Sequence, residues 1–172
     1  MKALEDDAFR GFVAARGHAL LRTAYLLTGD QQLAEDLVQT ALEKALTHWG
    51  SIRASEAVET YVRRTMYREQ VSIWRRRRVT ELSSVALPEP RSPSEHIDEV
   101  ENRLVMRAAL GQLGRRQRTV LVLRYFEDLT EQQVADALGI TVGTVKSQSH
   151  KALAQLRATC RGLVSTTGSE LP

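Results

Sequence analysis

The stretch "SSVALPEPRSPSEH", Ser83 to His96, limits the fold more than any other part of the chain. It holds three of the four prolines, Pro88, Pro90 and Pro93, together with four serines. Proline removes backbone donors and serine competes for them, so neither helix nor sheet can run through it. It reads as an extended, flexible linker. The chain is thereby divided into a block at about 8–78, a linker at about 79–99 and a second block at about 100–162. Neither block shows strand alternation and neither repeats the other. Aromatic residues make up only 5% of the 172 residues, which disfavours a broad β-sandwich. Ala, Leu, Arg, Glu and Gln dominate, and they are good helix formers. The expectation is an all-α chain of two small helical domains joined by a flexible linker.

The first block opens on Phe9, Val13, Leu20, Leu21 and Leu27 at helical spacing, and "TGD" at Thr28–Asp30 breaks it. Gly29 suits a helix end and Asp30 a helix start. From Asp30 to Trp49 the apolar side is Leu37, Val38, Ala41, Leu42 and Ala45. Asp36, Gln39, Thr40, Glu43 and Thr47 gather on another side, polar and mildly acidic. On its own such a face reads as solvated.

A third helix is predicted from Tyr61 to Arg78. Val62, Met66 and Ile73 share one side, while Arg64, Arg68 and Arg75 stack opposite, flanked by Tyr67 and Trp74. Guanidinium groups pair with phosphate and rings stack on exposed bases, so the stripe suits nucleic acid. Arg75, Arg76, Arg77 and Arg78 then follow in succession. Cations near a helix C-terminus favour its dipole, but four in a row exceed that need.

In the second block, Thr130 with Gln133 makes a capping box. Val134 and Leu138 face inward, Ala135 lets a neighbouring helix cross closely, and Gly139 permits a left-handed turn. Ile140 plugs the core, Thr141 caps a further helix, and Val145, Ala152 and Leu156 form that helix's inner side. This is the spacing of a helix-turn-helix. The outer side carries Thr144, Lys146, Ser147, His150 and Lys151, with Gln148 at its flank. Short polar, amide and basic groups there fit base edges and phosphates in a major groove.

Other classes find little support. Net charge is +3, so its distribution matters more than its total. The single cysteine, Cys160, has no internal partner for a disulfide and no Cys/His cluster around it, so a passive thiol is expected. No apolar run approaches ~20 residues, and the acidic start lacks a signal-peptide layout. A cytoplasmic protein is implied. No phosphate loop, metal cluster or nucleophile-base pattern points to an enzyme, a cofactor or a catalytic residue. Two other readings remain: a stand-alone helix-turn-helix transcription regulator, disfavoured by the acidic second helix, and a helical adaptor, disfavoured by the arginine-aromatic third helix.

The segment "LGQLGRRQRTVLVLRYFEDLTEQQVADALGITVGTVKSQSHKALAQLR" resembles region 4 of bacterial extracytoplasmic-function (ECF) sigma factors. "RTAYLLTGDQQLAEDLVQTALEKALTHW" resembles their region 2, continued by "YVRRTMYREQVSIWRRRR". The likeness covers about 9–160, and the wording is similar to an actinobacterial SigE-like subgroup. It implies that Asp36, Gln39 and Glu43 meet core RNA polymerase, which reverses the solvated reading of that face. It further implies that Arg64, Arg68, Trp74 and Arg75 to Arg78 engage the minus-ten element of promoter DNA. Thr144, Lys146, Ser147, Gln148, His150 and Lys151 would read the minus-thirty-five element. Many family members also have an anti-sigma partner. The chain departs from the family pattern at Arg68, Ser72 and Gln148, where Asn, Asp and Arg are common; these departures bear on promoter sequence rather than on the sigma role.

Overall fold

A computed structural model describes residues 2–52, 55–80 and 105–167, with side chains over 6–52, 57–73 and 105–162. No strand occurs among the described residues. The helices are α1 (Lys2–Thr28), α2 (Gln31–Thr47), α3 (Ser55–Thr80), α4 (105–111), α5 (Arg115–Tyr125), α6 (Glu131–Leu138) and α7 (Val142–Thr167), with a 3-10 turn at Trp49–Ser51 between α2 and α3. The expected linker falls almost wholly outside the described residues, apart from its first two positions, which continue α3.

Local signals account for several boundaries. Gly29 takes φ 73°, a left-handed conformation that ends α1. The Asp30 carboxylate then accepts the Leu33 N–H at 2.8 Å and starts α2. Two boundaries fall earlier than the pattern suggests: α1 begins at Lys2 rather than near Phe9, and α3 begins at Ser55 rather than Tyr61. The added turn of α3 buries Val58, the one apolar anchor it needs.

The first three helices pack through Leu20, Ala24 and Leu27 of α1, Leu37, Ala41 and Ala45 of α2, and Val58, Val62 and Met66 of α3, all buried. Phe9 meets Trp49 edge-on at 5.1 Å between ring centres, which holds the start of α1 to the end of α2. The last four helices pack through Leu110, Leu113, Val120, Leu123, Val134, Val145 and Ala152. The two units are docked. One buried cluster runs from Leu37 and Met66 of the first to Val122 and Val134 of the second, and Leu26 of α1 packs among Leu110, Leu113 and Leu121.

Arg118 ties this junction. It is 8% exposed. Its Nε donates to the Leu110 carbonyl at 2.8 Å, and its two Nη atoms donate to Gly111 and Thr28, each at 3.0 Å. These carbonyls end α4 and α1, so the cation sits where two helix dipoles point their negative ends. Burial, then the neighbouring Arg115, pulls its pKa below the ordinary arginine value, with Tyr25 acting in the opposite sense; a guanidinium remains charged regardless.

Candidate nucleic-acid interface

The turn between α6 and α7 has the geometry that the sequence requires. Gln133 donates its N–H to Thr130 Oγ1 at 3.2 Å and accepts the Thr130 N–H at 2.8 Å, closing the capping box. Gly139 sits at φ 65°, ψ 40°. Thr141 Oγ1 accepts the Thr144 N–H at 3.1 Å and caps α7. Val134, Ala135, Leu138, Val145 and Ala152 are buried, and Ile140 packs half-buried behind the turn.

With that inner side fixed, α7 presents Thr144, Lys146, Ser147, His150 and Lys151 to solvent. Gln148 is half-buried, and Ser149 next to it is buried. The Thr144 hydroxyl is 2.9 Å from Thr141 Oγ1 and so is shared with the cap. Lys146 Nζ lies 3.7 Å from Glu131 Oε2 of α6; both side chains are open to water, and such a pair yields readily to a phosphate. The face is continuous, polar and basic, with no large apolar side chain.

On α3, Arg64 and Arg68 are exposed and line one side of a cleft of about 1130 Å³ between the units. Trp74, Arg75, Arg76, Arg77 and Arg78 lie on the helical backbone of α3, and their side chains fall outside the described residues. Tyr67 differs from the expectation. It is 3% exposed and does not flank the arginine stripe as a free ring. Its position four residues after Arg63, on the shoulder of the buried Val62–Met66 side, turns it under the second unit.

Tyr67 belongs to a network that periodicity alone does not reveal. Glu127, in the loop after α5, accepts the Tyr67 hydroxyl at 3.0 Å and an Arg63 Nη1 bond through Oε2, and the Thr23 hydroxyl at 2.7 Å through Oε1. Glu59 completes the set: its Oε1 accepts from Arg63 Nε at 3.1 Å and Nη2 at 3.0 Å. Burial works against the Arg63 charge, but the Glu127 carboxylate, the Glu59 hydrogen bond and Tyr67 outweigh it, and its pKa lies above the ordinary arginine value. Burial first, then the Glu127 charge, holds the Tyr67 hydroxyl well above the usual tyrosine range. It is therefore a neutral O–H donor. The one sequence signal for this cluster is the doubled arginine at Arg63 and Arg64, one turned to the junction and one to solvent.

The acidic side of α2 is exposed at Asp36, Gln39 and Glu43. Gln39 Nε2 donates to Glu43 Oε1 at 2.9 Å, and Gln32 Nε2 to Asp36 Oδ1 at 3.1 Å. These one-turn pairs arrange the carboxylates in a row along the helix. Lys44 bridges to Glu69 on α3 and keeps the row from being neutralised by its own lysine. Among the described residues, no group of three His, Cys, Asp or Glu side chains is placed to hold a metal, and no helix is long and apolar enough to cross a membrane.

Comparison with known proteins agrees with this layout of two units. The family described as Sigma-70 region 2 matches residues 12–80, and Sigma-70, region 4 matches residues 109–158. The RNA polymerase sigma-E factor of Streptomyces coelicolor is 39% identical over 150 residues, covering 87% of this chain and 84% of that protein. The chain belongs to the ECF family of RNA polymerase sigma factors. The ECF RNA polymerase sigma factor SigL of Mycobacterium tuberculosis is 33% identical, covering 94% of this sigma factor and 93% of its own length. Among solved structures, the sigma factor RpoE in complex with the anti-sigma factor NepR from Bartonella quintana shares the fold with a TM-score of 0.63 at 24% identity, over 90% of this chain and 97% of that one. CnrH in complex with the cytosolic domain of CnrY shares it with a TM-score of 0.57 at 22% identity, over 91% and 90%. A sigma factor binds core RNA polymerase and directs transcription initiation at promoters, and that is the work of this chain.

Proposed function

We propose that the three exposed faces divide that work. The row on α2, Asp36, Gln39 and Glu43, binds core polymerase. Arg64 and Arg68, with Trp74 and Arg75 to Arg78, engage the minus-ten element. Thr144, Lys146, Ser147, Gln148, His150 and Lys151 read the minus-thirty-five element from the major groove. The protein adds no chemistry of its own: the polymerase supplies the active site, and no cofactor is required. It acts in the cytoplasm, where polymerase and promoter meet. A protein of the anti-sigma kind, as bound to RpoE, is a candidate partner. The reading of a stand-alone regulator is not favoured, because it leaves the likeness over residues 12–80 without a role.

The observation that carries the division is charge by face. The outer side of α7 is basic and polar, and that of α2 is a carboxylate row, although both belong to one small chain. A single-purpose DNA-binding surface would not present that row, which repels phosphate. Run-off transcription with core polymerase tests the whole reading, and a pull-down tests the first face. Asp36→Arg combined with Glu43→Arg should weaken capture of core at least ~10-fold, a coupling of about 1.4 kcal/mol, while helical content stays intact. Equal capture by the folded double variant would remove α2 from the polymerase interface.

A further inference from the structure

The cleft of about 1130 Å³ between the units is lined by unlike charges that do not meet. From the first unit come Arg22 of α1 and Arg64 and Arg68 of α3. All three are exposed, and none forms an ion pair with another described residue. Arg63 beside them is already engaged by Glu59 and Glu127. From the second unit come Asp128 and Asp136. Asp136 accepts the Gln132 amide of its own helix at 2.9 Å, and neither carboxylate pairs with a cation among the described residues. The lining also includes Leu26, Met106 and the 45% exposed ring of Phe126. A space of this size holds a small molecule, and apolar surface with a few converging polar groups is the make-up of such sites.

We propose that this cleft binds a nucleoside triphosphate. A ligand that displaces water there must satisfy a cationic wall and an acidic wall at once, since a charge buried without a partner is costly. The triphosphate meets Arg22, Arg64 and Arg68, whose guanidinium groups pair with phosphate oxygens in a fork. The ribose hydroxyls and the N–H groups of the base donate to Asp128 and Asp136. The base stacks on Phe126, as bases do on exposed aromatic rings. Other ligand classes fit one wall and fail at the other. Inorganic phosphate would face two carboxylates, a polyamine would face three arginines, and a lipid chain would leave both walls without water. Both walls contribute, so the ligand favours the docked arrangement of the units. The site does not depend on the reading of α3 as a DNA-binding helix.

The test is titration calorimetry on the full chain in magnesium-free buffer, with GTP, guanosine and inorganic tripolyphosphate as probes. The wild type should bind GTP at least ~10-fold more tightly than either of the other two. Arg22→Ala should weaken GTP and tripolyphosphate alike, each by at least ~5-fold. Asp136→Asn should weaken GTP by at least ~5-fold without weakening tripolyphosphate. A merely structural role for Asp136 would not separate the two probes. Both side chains are exposed, so the variants should keep the helical content of the wild type, read by circular dichroism. Equal affinity for GTP and tripolyphosphate would reduce the cleft to a general anion site. Absence of GTP binding, or GTP affinity unchanged in both variants, would leave the cleft without this ligand. Tighter GTP binding by Asp136→Asn would mean that the carboxylate only repels. Each of these results overturns the proposal.

Discussion

At the scale of residues, Arg118 and Tyr67 show how polar groups are placed at the junction at little cost. Arg118 has an acceptor for each nitrogen of its guanidinium. Replacing it by Met keeps the unbranched stem as far as the Nε position and strands three carbonyls at two helix ends. Arg118→Met should destabilise the chain by on the order of 3 kcal/mol, measured by urea unfolding; a loss below about 1 kcal/mol would mean that water satisfies those carbonyls. Gly29 adjoins the same guanidinium, and a Cβ there would collide with it in addition to straining a left-handed φ. Tyr67 makes a prediction in pH. Its hydroxyl pKa is raised on folding, by burial and then by Glu127. The folded state holds that proton when the unfolded chain, titrating at about 10, has released it. The stabilisation is complete below about pH 10 and declines as pH rises towards the folded value. Urea midpoints should accordingly fall faster from about pH 9 to 11 in the wild type than in Tyr67→Phe; parallel curves would show that Tyr67 titrates as it does in water.

At the scale of elements, the parts that sequence made legible are those set by short-range rules. Gly29 with Asp30, the Thr130–Gln133 box and the Gly139 turn each need only residues a few places apart, and each appears as the spacing predicts. The extra turns at the starts of α1 and α3 were not legible, because polar helix-compatible residues such as those around Val58 have weak local signatures and are fixed by packing. The outward set on α7 was legible for the same reason as its inward set: once Val145 and Ala152 are inside, rotation by ~100° per residue places the rest. Gln148 is the informative member. It is half-buried at the edge of the face, so its amide has fewer conformations than the lysines beside it. An amide pairs twice with adenine and a guanidinium twice with guanine. Gln148→Arg should therefore change the preferred base at one position of the minus-thirty-five element, with discrimination of about 1–3 kcal/mol. Transcription from a randomised library is the measurement. A uniform change in all promoters would move Gln148 from reading to positioning.

At the scale of the whole molecule, the docking of the two units was the least legible feature. Glu127 lies 64 residues from Arg63, and no periodicity links a loop carboxylate to a distant helix face. The same holds for Leu26, which belongs to α1 by pattern and packs with α5 by contact. Sequence can say that a helix has an apolar side without saying which unit covers it. The consequence is testable by cutting the chain. The proline and serine stretch carries Glu95, followed by His96, as a target for a glutamate-specific protease, while the Glu89 bond is closed to it by Pro90; Glu35 and Glu43, though exposed, stand on helical backbone that must open before it can enter an active site. The first cut should therefore fall at Glu95. The two pieces should nevertheless elute together from a sizing column at micromolar concentration, because Leu26, Arg118 and the Glu127 cluster join them without the linker. Cut Glu127→Ala should elute as two separate species under the same conditions, having lost the acceptor for Thr23, Arg63 and Tyr67 at once. Separation of the cut wild type would mean that docking depends on the covalent tether, so that the linker raises the local concentration of a contact too weak to persist alone.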